Sequence, residues 1–241
     1  MKRGISLVLK VKVHRELKDE LNNAISAKVQ FFRIDPEDIS KTLSDILCII
    51  MDLSWLSKFD HQYERKAFKC RAKKTINDIK EKFDNCVDDK ISKEAGEYVV
   101  SELARQVIIS ELDYLDIPLA ELIGKKRSGN PGFDFHSQNK ETDTVIFGEA
   151  KYIAGKTAYV TALPQIVKFI NESKDIEDLP ELTPFCSYNA LDRAGKGSKG
   201  FCAAFSSKNT TTDKIIENIV KRDDFNILLQ YEEIILVSVD L

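Results

Sequence analysis

The sequence is short of the features that mark several protein classes. Its 241 residues hold five cysteines (Cys48, Cys70, Cys86, Cys186 and Cys202), scattered, odd in number and without a CxxC pair. That pattern argues against a disulfide framework or a paired-cysteine zinc site and fits a reducing compartment. The five are read as small buried hydrophobes. No stretch approaches the ~20 apolar residues of a membrane span. The opening run MKRGISLVLKVKV is too short in apolar residues for the core of a signal peptide, and a cytoplasmic protein is expected. Internal repeats, low-complexity segments and the GxxxxGK[ST] phosphate loop are missing too. Of three histidines, His14 and His61 have no constellation around them. A basic excess is also lacking: 36 lysines and arginines against 39 acids leave a net charge of -3. Nucleic-acid binders are often basic overall. Any polyanion contact must therefore come from local patches or from a partner.

What is present is an alternation of strand-like and helix-like runs, which predicts an α/β protein. Residues 4–13 and 27–34 read as strands. Asp35-Pro36-Glu37-Asp38 opens a helix, with Asp35 as cap and Pro36 in the first turn. A polar helix is expected over 61–83. Ser92 caps a third helix carrying Glu97, Val100, Leu103, Ala104, Val107, Ile108 and Leu112. A hairpin (132–136 and 144–153), a helix near 156–171 containing Pro164, and an acidic loop over 175–184 come next. A flexible glycine-bearing loop over 194–200, a strand over 201–205, a helix over 212–220 and one or two strands over 226–240 complete the chain. A boundary near residue 88 divides a smaller α+β N-terminal region (1–88), suited to partner docking, from a main domain (89–241).

The run GNPGFDFHSQNKETDTVIFGEAKY, Gly129 to Tyr152, carries the most information. It places Asp134 on one short strand and Glu149-Ala150-Lys151 on the next. Alternate residues of a strand share a face, so Glu149 and Lys151 point the same way. A pairing centre between Glu141 and Thr142 sets Asp134 opposite Glu149. Two carboxylates suit Mg²⁺ or Mn²⁺, which keeps waters and takes substrate phosphate, and the Ala150 carbonyl offers a further oxygen. Lys151 is suited to orient water or to stabilise developing negative charge. Glu97, on the preceding helix, is a candidate additional carboxylate; Gln165 and His136 are candidate supporting residues. Lys125, Lys126 and Arg127, and Lys196 and Lys199, are candidate phosphate contacts. The plain alternatives are an exposed charge pair for Glu149 and Lys151, and solvated loops for the basic patches.

Asp134 followed one strand later by Glu149-Ala150-Lys151 resembles the PD-(D/E)xK nuclease motif, with Phe133 in place of the proline of the motif's name. The flanking residues, Gly132-Phe133-Asp134 and Phe147-Gly148-Glu149-Ala150-Lys151-Tyr152, resemble those of the HamA family, the nuclease subunits of Hachiman anti-phage systems. The likeness spans roughly residues 92–172. It implies a restriction-endonuclease-like mixed sheet flanked by helices, Mg²⁺-dependent DNA cleavage and a helicase (HamB-like) partner. Asp134 and Glu149 are the implied metal ligands and Lys151 the implied catalytic cation, with Glu97 in support. A stand-alone restriction or repair nuclease, and an inert nucleic-acid-binding subunit, are the alternatives.

Overall fold

The computed structural model describes residues 10–18, 21, 26–86, 91–124 and 132–241. Six strands form one mixed sheet in the order β1-β2-β6-β5-β4-β3. They are β1 (Lys10–Glu16), β2 (Lys28–Asp35), β3 (Phe135–Asn139), β4 (Thr144–Lys151), β5 (Lys199–Ser207) and β6 (Glu233–Asp240). The four central strands run parallel. An antiparallel neighbour closes each edge, β1 on β2 and β3 on β4. The fold is therefore α/β, as the alternation predicts, and its sheet is mixed.

Helices cover both faces, as parallel strands require. On one face α1 (Ile39–Met51), α2 (Gln62–Asp84) and α3 (Lys93–Leu112) bury Phe32, Ile146, Cys202, Ile235 and Val237. On the other, α4 (Tyr159–Asn171), α6 (Tyr188–Gly195), α7 (Thr212–Val220) and α8 (Asp223–Leu228) bury Phe31, Phe147, Phe201 and Leu236. Strand parity sends these two sets to opposite faces. Among the described residues no helix is long and apolar enough to cross a membrane.

Several expectations shift. The boundary near residue 88 does not divide the sheet, because β2 pairs with β6 along seven positions. The N-terminal region completes the sheet and is not a unit beside it. The cap of α1 is Asp38, which accepts from the Lys41 amide at 2.9 Å, and Asp35 instead ends β2. The β3 strand starts at Phe135 and extends to Asn139. The acidic loop contains α5 (Lys174–Asp178) and a 3-10 turn over Leu179–Leu182. The run read as strand over 226–240 is divided: α8 holds its first residues, and only Glu233–Asp240 is strand. Asp223 and Asp224 favour the positive end of that helix, while Phe225 and Leu228, three apart, bury its inner side. Residues 4–9 of the first predicted strand lie outside the described residues.

Candidate active site

The hairpin has the register that its turn implies. Phe135 lies opposite Gly148 and Asn139 opposite Thr144, so the pairing centre falls between Glu141 and Thr142. The Asn139 side chain fixes the turn by accepting from the amides of Glu141 and Thr142, at 3.0 and 3.3 Å. The regular ladder stops at Phe135. Asp134 sits one residue beyond it, in a bend. Its amide donates to the Gly148 carbonyl at 2.8 Å, and its carbonyl accepts from the Ala120 amide at 3.0 Å. Its carboxylate reaches across and accepts from the Ala150 amide at 2.7 Å. A charge-assisted bond of this kind fixes a carboxylate strongly. Gly148 leaves room for the hairpin to close: a Cβ there would lie 2.3 Å from the Phe135 ring.

Glu149 is only 2 % exposed. Its Oε1 accepts from Lys151 Nζ at 2.5 Å. Burial alone would pull the Lys151 pKa down. The charges of Glu149 and then Asp134, the hydrogen bond to Glu149 and the charge of Glu97 outweigh it, and the pKa lies above its ordinary value. The ammonium thus stays charged, bonded to Glu149 and within the field of Asp134 and Glu97.

Two helices wall the site. Ser92 caps α3, accepting from the Ala95 amide. One turn on, Gly96 presses against the ring of Tyr152, the residue after Lys151; a Cβ at 96 would come within 2.3 Å of that ring. This close approach seats Glu97 beside the end of β4. From the opposite face α4 brings Gln165 and Phe169. Together these groups line a cleft of about 380 Å³ that contains Glu94, Glu97, Glu121, Asp134, Glu149, Lys151 and Gln165. The structure thus brings together five of the sequence-predicted residues, with Ala150 entering through its amide.

Four polar lining residues were missed in the sequence: Lys82, Glu94, Tyr98 and Glu121. Tyr98 donates to the Glu121 carboxylate, and Lys82 of α2 lies 3.4 Å from the same hydroxyl. Burial, followed by the charge of Glu121, raises the Tyr98 pKa and keeps the phenol a donor. Glu94, Glu97, Tyr98 and Ser101 all line the cleft. Their spacing of three, four and seven residues puts them on one helical face. That polar stripe, on a helix otherwise rich in valine, leucine and alanine, was the available signal.

The other candidates lie elsewhere. His136 is buried, with Nε2 2.9 Å from Asp178 Oδ2 and its ring edge-on to Phe147. It is absent from the cleft lining, which fits the plain reading of a buried imidazole. Lys199 is not a loop cation: it begins β5, is 6 % exposed and is ion-paired with Asp175. It pairs in register with Val145, whereas Lys151 pairs with Phe205. Lys199, and the exposed Lys196 just before it, therefore lie at the opposite end of the strands from the acids. The basic run Lys125, Lys126 and Arg127 lies outside the described residues.

The donor set is hard: carboxylate oxygens, with no sulfur or imidazole lining the cleft. Among the described residues no group of three or more His, Cys, Asp or Glu side chains is placed to hold a metal ion. Two carboxylates with room for water match the open coordination of Mg²⁺, and not a closed structural zinc site. Compared with family models, curated proteins and solved structures, the chain matches none.

Proposed function

We propose that this chain is a metal-dependent DNA endonuclease of the PD-(D/E)xK type. We propose further that it is the effector of a prokaryotic anti-phage complex and works with a helicase, as the likeness to Hachiman nuclease subunits implies. The observation that carries the enzymatic reading is the convergence of Asp134, Glu149 and Lys151 on one cleft, with Glu97 on its far wall. Asp134 and Glu149 would hold a Mg²⁺ or Mn²⁺ ion, with the Ala150 carbonyl as a third oxygen. When bound, that ion supplies Lewis acidity and an acidified water.

The chain's own groups divide the remaining work. The Ala150 amide aims Asp134. Lys151 exchanges its bond to Glu149 for the charge that develops on the phosphoryl oxygens, the preorganised electrostatic contribution that is often the largest in such sites. Glu97 and Gln165 orient water and phosphate from the two helical walls. The test is nicking of supercoiled plasmid by the full chain with Mg²⁺, against EDTA and against Asp134→Asn. Cleavage is expected only with metal, and loss of Mn²⁺ binding is expected in Asp134→Asn. Metal-independent nicking, or full Mn²⁺ affinity in the variant, would remove this reading.

A further inference from the structure

The cleft has the wrong charge for its proposed substrate. Five carboxylates line it against the ammoniums of Lys82 and Lys151, and the chain as a whole is at -3. A phosphate backbone approaching this surface needs cations placed beside the cleft. Helix α2 has them. Residues Gln62–Asp84 include eight lysines and arginines and four acids, with only Ala72, Ile76, Ile79 and Phe83 buried. None of the eight cations forms an ion pair with a described residue. A thin apolar stripe under so much positive charge with no ion-pair partner among the described residues leaves these cations available to a polyanion.

One flank of α2 is fastened along the cleft. Thr75 Oγ1 donates to the Glu121 carbonyl at 3.3 Å. The Arg71 side chain lies against Gly124, 3.3 Å from where a Cβ would sit. Lys82 is part of the cleft lining, with its Nζ 4.9 Å from the centre of the Tyr98 ring. The Arg71 guanidinium rests 5.2 Å over the Phe68 ring, which itself stacks on Phe59 at 4.2 Å. Arg71, Thr75 and Lys82 follow helical spacing, and Lys74 extends the same side toward solvent; Asp78, four residues from both Lys74 and Lys82, stands between them on that side, and its charge reaches Tyr98. Arg71 and Lys82 are eleven residues apart, about 16 Å along the axis. That length covers about five base-pair steps of a duplex at ~3.4 Å each.

We propose that the cleft-side flank of α2, through Arg71, Lys74 and Lys82, is a binding wall for the sugar–phosphate backbone of a DNA duplex, and that it delivers the strand to the acid cup. The inference deepens the nuclease reading and rests on it for the identity of the polyanion. Contacts of this type hold a duplex in place without reading its sequence. A second row, Lys66, Lys69 and Lys73, lies roughly 150° round the same helix and faces away from the cleft. It is the internal control, with the same number of cations on the same element.

The experiment uses the full chain in EDTA and a fluorescein-labelled duplex, so that binding is read without cleavage. Anisotropy is measured from 50 to 300 mM salt. The triple variant Arg71→Ala/Lys74→Ala/Lys82→Ala is expected to bind at least about tenfold more weakly at the lowest salt. Its slope of log affinity against log salt should fall by about 2 to 3, since each lost phosphate contact removes ~0.9. Lys66→Ala/Lys69→Ala/Lys73→Ala should change affinity less than threefold. Single Gln substitutions at Arg71, Lys74 and Lys82 give the same ordering if the triple variant does not fold. Unchanged binding in the cleft-side variant, equal loss in both triples, or no duplex binding by the parent chain overturns the proposal. Mg²⁺-dependent cleavage by the parent chain separates the two claims. If duplex binding depends on α2 but Mg²⁺ yields no cleavage, the nuclease reading fails and the wall stands. If Mg²⁺-dependent cleavage occurs and the cleft-side variant binds like the parent, only the wall fails.

Discussion

Each end of the sheet buries a glutamate, and the two are treated in opposite ways. At the start of β6, Glu233 is 3 % exposed. Tyr114 donates to it at 2.6 Å, Asn139 at 3.3 Å and Gln30 at 3.4 Å, and Lys28 Nζ lies 3.7 Å away. Asn139 also bonds the Tyr114 hydroxyl at 2.7 Å. Burial and the charge of Glu233 raise the Tyr114 pKa, so the phenol remains a donor. At the end of β4, Glu149 is buried as deeply, yet it lies on an open cleft with Asp134 and a lysine. A closed polar cluster spends its hydrogen bonds on specifying the fold. An open one sets its glutamate–lysine pair at a cleft, within reach of whatever enters. Burial of a carboxylate therefore does not mark a site; the cleft in front of it does.

The sharpest way to break the comparison is to neutralise each glutamate in turn. Glu149→Gln should lower metal-dependent cleavage by about 100-fold or more, in the range of losing one transition-state-stabilising group. Its melting temperature should move by only a few degrees. Glu233→Ala should do the reverse. Removing one partner from a buried charged cluster costs about 3 kcal/mol or more, read as a fall in the urea midpoint. Cleavage per folded molecule should stay unchanged. Equal stability losses in the two variants would erase the distinction.

A smaller effect tests how the cup is seated. Gly96→Ala forces a methyl group toward the Tyr152 ring, and overpacking of this kind costs about 1–3 kcal/mol. Stability and cleavage should fall together, because the same contact holds Glu97 beside Lys151. The smallest expected effect is chemical. Cys48 and Cys70, expected to be buried, are exposed and should react with a thiol reagent at pH 8. Cys186 should stay silent, since burial pushes its pKa up to about 12. Buried Cys202 should stay silent with it.

Much of the cup was legible because local rules govern it. Ser92 reads as a cap, the hairpin register follows from its turn, and strand parity pairs Glu149 with Lys151. The bend at Asp134 was not legible. It depends on Ala120, fourteen positions back, which takes the Asp134 carbonyl out of the ladder. Lys199 was misread because Gly195, Gly197 and Gly200 surround it and suggest a loop; its partner Asp175 is 24 residues away. Lys82 reaches the cleft through the packing of α2 against α3, and Glu121 reaches it from the turn after α3, held by Tyr98 and Thr75. The division of residues 226–240 into helix and strand failed for a different reason. A short apolar run has no period that distinguishes the two.

The central claim is that Asp134, Glu149 and Lys151 form a phosphodiester-cleaving centre. Lys151→Ala tests it most directly, in a plasmid-nicking assay with Mg²⁺ alongside a thermal melt. The expected result is a folded protein that still binds Mn²⁺ and duplex DNA but nicks at least about 100-fold more slowly. Nicking at the parent rate by a folded Lys151→Ala protein would contradict the account.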